Sequence, residues 1–516
     1  MNTSTPPTPP AVTPRTVRLH AHDNVLVAVD PIVAGTTLAG VTASARVARG
    51  HKLAVAAIAP GEPVRKFGQV IGFASRPIAP GDWVHEHNVA MAEDFERAFE
   101  CGVDARPEEV LPEERRARFA GFRRADGRVG TRNYLGILTS VNCSATAARF
   151  MAEEIARSGV LADYPNIDGV IALTHGGGCA LDIRGEGYEI LKRTQWGYAS
   201  NPNMGGVVMV GLGCEGFEID RWKKACGIVE GDRFRSLTIQ ESGGTRRTVA
   251  AGVAAIHEML PAINAVSRET VPASEITLAL QCGGSDGYSG ITANPALGAA
   301  VDLLVRHGGT AILSETPEIY GAEHLLYRRA DSAEIGDKLL SVMAWWKDYT
   351  ARNRMAMNNN PSPGNKAGGL TTILEKSLGA AAKGGTTTLR GVYHYAEKVD
   401  RRGFVYMDTP GYDPVSATGQ VAGGANVLCF TTGRGSAFGC KPTPSIKLAT
   451  NSQIYQHMID DMDINCGDIV DGVPIEAKGR EIFETILRVA SGQRSKSELL
   501  GYGDAEFVPW QVGATM

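Results

Sequence analysis

Six short apolar runs in this chain end in residues able to bind a cation, move a proton or hold an anion. LTSV leads to Asn142-Cys143-Ser144, and GVIALT to His175-Gly-Gly-Gly-Cys179. VVMVGLG leads to Cys214-Glu215, and ITLALQ to Cys282-Gly-Gly-Ser285-Asp286. TAILS leads to Glu315-Thr-Pro-Glu318, and NVLCFTT to Gly433-Arg434-Gly-Ser436. A lone cysteine at a strand end is usually a small buried apolar group. Recurrence of such residues at one topological place argues for chemistry instead, because ligands of open α/β sheets bind outside the carboxyl ends of the strands. The thiols Cys143, Cys179 and Cys282 and the carboxylates Glu215, Asp286 and Glu315 are candidate metal donors. A mixed sulfur and oxygen set suits iron better than magnesium. The neighbouring glycines let backbone N–H groups approach a ligand, since no Cβ blocks them.

Acid–base candidates are His175, Lys366, His22 and His51. Five of the eleven histidines fall between residues 20 and 87, including the pairs His20/His22 and His85/His87. On a strand, residues two apart face the same side, so each pair could present two imidazoles together. Ser285, Asn365, Lys366, Arg434 and Lys447 are candidates for holding substrate oxygens, with arginine offering a forked grip on a carboxylate. Asn365 and Lys366 lie in NNNPSPGNKAGG, before the helical pattern LTTILEKSLGAAAK, where a helix start could hold an anion. Asn294 precedes a proline and reads as a helix N-cap.

The elements that must position these groups follow from periodicity. Residues 17–92 alternate in short runs separated by GTTLAG, ARGH and APGD turns, an all-β signature. Residues 93–120 are charged and hold two prolines, which reads as a linker. From residue 121 short apolar strands alternate with longer helical patterns, which implies a mainly parallel sheet covered on both faces. We divide this part into a middle α/β domain, 121–272, and a C-terminal α/β domain, 273–516. Residues 1–16 are rich in Pro and Thr and read as a disordered tail.

Composition narrows the function. A net charge of −4 leaves no nucleic-acid footprint. No apolar run reaches the roughly 18 residues of a membrane span. Nine scattered cysteines, an odd number, argue against a disulfide framework and for a reducing cytoplasm. No GxGxxG opens a βαβ unit and no GxxxxGK[ST] is present, so a nicotinamide oxidoreductase lacks its fingerprint.

Longer stretches carry a resemblance. HAHDNV, ARGHK, GRVGTRN (residues 127–133), GLGCE, QCGGSDGYSGITANPALG, SETPEIYGAEHLL, NPSPGNKAGGLTTILEKSLG, FTTGRG and IKLATN occur in this order between residue 17 and about residue 500. Together they resemble the altronate/galactarate dehydratase family of sugar-acid hydro-lyases. IYGAEHLL, NKAGGLTTILEKSLG and VHEHN look closer to the altronate branch, whereas residues 407–426 are similar to the wider family, which includes sulfolactate sulfo-lyases.

The resemblance implies a β-clip (SAF-type) N-terminal domain, a dimerising middle domain and a Rossmann-like C-terminal domain. It implies iron-stimulated dehydration of an altronate-like aldonate to a 2-keto-3-deoxy acid by a cytoplasmic homodimer. The alternatives are a galactarate-type aldarate, or loss of another group, such as sulfite, from a 2-hydroxy acid. The expected cofactor is Fe2+; Mn2+, another divalent metal and an iron–sulfur cluster stay open. The expected partner is a small sugar acid, with no nucleic acid and no membrane.

Overall fold

The computed structural model describes residues 13–92, 97–106 and 108–513. The tail expected over residues 1–16 thus lies largely outside the described residues. Arg15 is paired with Asp30 at 2.8 Å, and Thr16 opens the first strand. Of the charged stretch 93–120, residues 93–96 and 107 are outside the described set, and Arg118 already begins a strand.

The chain forms two compact units. The first comprises Met1–Glu96 and Asn358–Lys376. It is built from short antiparallel strands, as the alternation predicts: one sheet joins Thr16–Val17, Val25–Ala28, Lys52–Ala54 and Trp83–Val84, and another joins Pro63–Lys66, Gln69–Ala74 and Val89–Ala90. The turns between them put Gly35, Gly61 and Gly81 at φ between +82° and +91°, a region that glycine enters without steric cost.

Inside this unit, Glu375 is a buried carboxylate shared by two buried lysines. Lys52 Nζ donates to Oε1 and Oε2 at 3.0 and 2.8 Å, and Lys66 Nζ donates to Oε1 at 3.0 Å. Thr371 adds its N–H and hydroxyl to Oε2, at 3.0 and 2.7 Å. This network ties residues 371–375 to the strands that carry Lys52 and Lys66.

The second unit comprises Arg97–Met357 and Ser377–Met516. It holds two parallel sheets. The smaller runs in the order Gly169–Leu173, Tyr134–Thr139, Met204–Gly211, Phe234–Thr238. The larger has seven strands in the order Leu389–Tyr393, Gly403–Met407, Thr310–Leu313, Thr277–Cys282, Val427–Thr432, Ser445–Ala449, Ile464–Asn465, all parallel. The six apolar runs singled out in the sequence are six of these strands. Burial on both faces explains why they read as continuous apolar runs rather than as alternating ones.

The two sheets belong to one unit because they share a core. Tyr134, Leu138 and Met209 pack in one apolar cluster with Ala279, Ile312 and Phe430. Helix Glu186–Ala199 lies against helix Asp413–Ala422, where a Cβ on Gly197 would come within 2.3 Å of the Ala422 carbonyl oxygen. Only glycine permits that approach. Gly197 and Ala422 are near the carboxyl ends of their helices, so those ends meet.

The motif GRVGTRN stitches this assembly. Arg132 is buried and grips Glu498 with Nε and Nη2, at 2.6 and 2.8 Å, and Thr131 Oγ1 donates to the Asn426 carbonyl at 2.6 Å. Asn133 Nδ2 donates to the carbonyls of Asn166 and Ile263. Asn294 corrects an expectation. The helix spans Ala293–Arg306 and Thr292 holds the N-cap position, so Asn294 is inside. Its amide instead crosslinks Gly379 O at 2.9 Å and Thr431 Oγ1 at 2.7 Å, a tertiary use that outweighs capping. Among the described residues, no helix is long and apolar enough to cross a membrane.

Candidate active site

The central strand Thr277–Cys282 ends on a buried thiol. The neighbouring strand Thr310–Leu313 ends in Ser314 and Glu315, and Glu315 adopts φ 69° and ψ 60°. A left-handed conformation is costly for a residue with a Cβ and persists only where neighbours over-determine it. They do so here. Glu315 N donates to Thr409 Oγ1 at 2.9 Å, Thr316 N to Thr409 O at 2.9 Å, and Glu318 N to Glu315 O at 2.7 Å. Thr316 Oγ1 and Trp346 Nε1 both donate to Asp408 Oδ1, at 2.6 and 2.8 Å. The strained turn aims Glu315 inward, and the single 3-10 turn after it brings Glu318 to the same place.

Cys282, Glu315 and Glu318 offer donor atoms within 4.8 Å of one another, and all three side chains are buried. Cys282 Sγ donates to Glu315 Oε2 at 3.5 Å and to Glu318 Oε2 at 3.4 Å. Lys383, fully buried after the helix Ile373–Ala382, places Nζ 2.6 Å from Glu315 Oε2. A third carboxylate, Asp413, stands over Gly283: a Cβ there would lie 2.4 Å from its Oδ2. Two carboxylates and a thiol thus surround one ammonium group, with Asp413 close by.

The electrostatics follow. Burial, with like charge from Glu318 and Asp413, holds the Glu315 carboxyl above the ordinary carboxylate range even against Lys383. Burial also opposes the charge on Lys383, but Cys282, Glu315 and Glu318 outweigh it and keep that ammonium protonated. Glu315 Oε1 is buried without a hydrogen-bond partner. An orphaned carboxylate oxygen beside a thiol and a second carboxylate fits a divalent cation of intermediate softness, iron(II) better than magnesium.

The site therefore unites two of the six expected metal donors, Cys282 and Glu315. It adds Glu318, Lys383 and Asp413. Asp286 is fully engaged elsewhere. Its Oδ1 accepts from Tyr288 N, Ser289 N and Thr450 Oγ1 at 2.9–3.1 Å, and its Oδ2 from Asn451 Nδ2 at 3.1 Å. A Cβ on Gly433 would come within 2.1 Å of that carboxylate. Asp286 thus organises the loop after Cys282, and buried Ser285 is part of the same loop. Glu215 folds back on its own turn, accepting from the N–H groups of Leu212, Gly213 and Cys214 at 2.7–3.1 Å and from the Ser140 hydroxyl. Cys143 and Cys179 are exposed, on the strand ends of the smaller sheet.

Of the substrate-binding candidates, Arg434 stays near. It is exposed, and its backbone N–H donates to Gly284 O at 2.9 Å, two residues from Cys282. Lys447 is mid-strand and fully buried, with Nζ 3.1 Å from Ser436 O and 3.6 Å from Asp461 Oδ1. Asn365 and Lys366 belong to the first unit. Asn365 completes a capping box with Ser362 on the five-residue helix Pro363–Ala367, and Lys366 pairs with Glu86 at 2.9 Å.

His51 is buried in that unit. Its Nδ1 accepts from Trp83 Nε1 at 3.2 Å and its Nε2 faces Ala367 O at 3.2 Å, which fixes the proton on Nε2. His22 is exposed. The two His-x-His pairs lie on turns, not strands, because Asp23 and Asn88 accept from the N–H groups of His20 and His85 at 2.9 Å. Asx-type capping overrides the period-2 reading.

His175 is buried between Thr139 O, 2.9 Å from Nε2, and Gly177 N, which donates to Nδ1 at 3.0 Å. Both ring nitrogens are used to pin the HGGGC loop. Burial pushes its pKa down to about 4, so the folded protein holds it neutral. Unfolded His175 takes up a proton below its ordinary 6.5 that the folded residue refuses, so stability is expected to fall as pH drops from 6.5 toward 4. His175 contributes about 3 kcal/mol of that fall. His175→Gln should flatten the slope in urea unfolding across a pH series; an unchanged slope contradicts the assignment.

Comparison with known proteins bears on this geometry. Residues 14–92 match the altronate/galactarate dehydratase SAF domain, residues 121–264 the second domain of D-galactarate dehydratase/altronate hydrolase, and residues 273–515 the C-terminal domain of D-galactarate/altronate dehydratase. The galactarate dehydratase (L-threo-forming) of Escherichia coli K12 is 39% identical over 93% of this chain and 93% of its own length. The altronate dehydratase of Bacillus subtilis strain 168 is 36% identical over 92% of this chain and 95% of its own. The altronate dehydratase of Escherichia coli K12 is 33% identical over 93% and 96%. With three domain families matched in chain order and relatives that span nearly its whole length, the chain belongs to the altronate/galactarate dehydratase family.

Proposed function

We propose that the chain removes water from a sugar acid, an altronate-like aldonate first and a galactarate-like aldarate as the alternative, to give a 2-keto-3-deoxy acid. The observation that carries this reading is the buried set Cys282, Glu315 and Glu318 around Lys383, in a member of a dehydratase family. The C2 proton of such an acid is hardly acidic beside a carboxylate. A divalent cation, iron(II) first, would be held by Cys282 Sγ, Glu315 Oε1 and Glu318, and when bound would supply Lewis acidity toward the substrate carboxylate and 2-hydroxyl.

The chain's own residues do the rest. Lys383 stays protonated and fixes Glu315 Oε2. Burial and like charge hold the Glu315 carboxyl above its ordinary range, a cost that a cation at Oε1 would relieve; removal of the C2 proton and protonation of the leaving C3 hydroxyl are left to groups other than the cation's donors. Arg434 at the rim is assigned the substrate carboxylate. His51 and Lys366, each in the first unit, are proposed as acid–base residues. The homodimer, the cytoplasmic setting and the choice of iron over manganese belong to the same proposal.

The test is a screen of four- to six-carbon aldonates and aldarates with anaerobic, iron(II)-supplied protein. It reads 2-keto acid formation and C2–H exchange with solvent deuterium. The expected result is product from one of these acids, abolished by a chelator and restored by iron(II). No 2-keto acid from any of them, or sulfite released from a sulfonated 2-hydroxy acid instead, defeats the reading. Lys366→Ala with full exchange removes that residue from the acid–base set.

A further inference from the structure

Nine cysteines are free, four of them buried, two partly buried and three exposed. The three exposed ones are Cys143, Cys179 and Cys214. They are not scattered. Each follows the carboxyl end of one of three adjacent parallel strands of the smaller sheet: Tyr134–Thr139, Gly169–Leu173 and Met204–Gly211.

The backbone ties their loops together. Asn142 N donates to Gly177 O at 2.9 Å, which brings the Cys143 loop to within two residues of Cys179. Gly216 N donates to Cys179 O at 2.9 Å, two residues beyond Cys214. Two side chains used only locally stiffen the arrangement: His175 pins the Cys179 loop to Thr139 O, and Glu215 closes the Cys214 loop on its own N–H groups. Space is left beside them, since a Cβ on Gly178 would meet nothing within 4 Å. Among the described residues none of the three thiols has a hydrogen-bond partner.

Exposed free thiols are a liability unless they bind something. Three thiols on loops tied to one another are candidate ligands for a soft centre. A single zinc or copper ion, with metal–sulfur bonds of about 2.3 Å, would need the sulfurs about 4 Å apart. These three are not gathered within 4.8 Å of one another, as the donors of Cys282, Glu315 and Glu318 are. Wider spacing suits a polynuclear centre.

We infer that Cys143, Cys179 and Cys214 bind an iron–sulfur cluster of the four-iron type through three thiolates, leaving one iron without a protein sulfur ligand. Each thiol gives up its proton on ligation, so binding releases protons and weakens as pH falls. This site is separate from the one at Cys282, and the inference does not rest on the hydro-lyase reading.

The test uses the full chain, reconstituted anaerobically with equal amounts of ferrous and ferric iron and with sulfide, and freed of excess. The expected result is visible charge-transfer absorbance with about four iron and four acid-labile sulfide per chain. Cys143→Ser, Cys179→Ser and Cys214→Ser each lose most of that absorbance, while Cys226→Ser keeps it. Cys282→Ala also keeps it while losing turnover, which separates failure of this site from failure of the catalytic one. Alkylation mapping covers the case of a variant that does not fold. In wild-type protein the three thiols are labelled before reconstitution and protected after it. Iron bound without sulfide, zinc bound in preference, or equal labelling of the three thiols before and after reconstitution overturns the proposal.

Discussion

Glu315→Gln is expected to lower kcat/KM for the sugar acid by about 10^2–10^3-fold, the cost of deleting one preorganised electrostatic contact at a reacting centre, and to weaken divalent-cation binding in parallel. The substitution preserves shape, so the left-handed turn held by Thr409 survives, as does the hydrogen bond from Glu318 N. Only the charge changes. Glu315 Oε2 no longer balances Lys383, and Oε1, which has no hydrogen-bond partner, no longer offers a negative donor. Folding should change far less than turnover, because Cys282 and Glu318 still lie around the lysine. Steady-state kinetics with cation titration, alongside thermal unfolding, reads both effects. A variant with wild-type turnover and cation affinity would falsify the assignment of Glu315.

The second large effect concerns stability. Glu375→Ala should destabilise the protein by about 3–5 kcal/mol, because it strands buried charge rather than removing a balanced pair. Lys52 and Lys66 both point at Glu375, and all three side chains are essentially inaccessible. Burial opposes the charge on Glu375, yet Lys52 and Lys66 outweigh it and hold its carboxyl well below the usual range.

The sign follows from linkage. A depressed carboxylate contributes stability above its unfolded value near 4.5, and that contribution is lost as pH falls below it. Lys52 behaves oppositely: burial lowers it from 10.5 to about 8, so between those values the unfolded chain holds more protons and stability rises with pH. Without Glu375 that window should widen downward. Urea unfolding at neutral and alkaline pH measures this. A loss under about 1 kcal/mol at neutral pH would show that the two lysines find other partners, contrary to the cost expected of stranded buried charge.

Much of the architecture is legible from local pattern. A strand buried on both faces must be apolar along its length, so LTSV, GVIALT, VVMVGLG, ITLALQ, TAILS and NVLCFTT announce themselves. A sheet's carboxyl ends must carry its chemistry, so Cys282 and Glu315 could be picked out there. Glu318 shows a weak signal, one helical turn after Glu315. Lys383 shows none: it ends an ordinary helical pattern 68 residues beyond its partner. Asp286, Glu215 and His175 have the right residue types at the right topological place. Nothing local reveals that their polar atoms are spent on holding loops in place, partly through residues distant in the chain.

Residue order alone thus settled the class of the chain: short β elements first, then α/β segments with mainly parallel strands that end in thiols, acids and amides. That follows because period and turn chemistry are properties of neighbouring residues. Which of those polar groups meet was decided by the tertiary fold. Convergence of Cys282, Glu315, Glu318 and Lys383, and the placing of three exposed cysteines on adjacent strand ends of the other sheet, depend on strand order. Charge balance in a buried space is a sum over residues distant in the chain, and no window of sequence contains that sum.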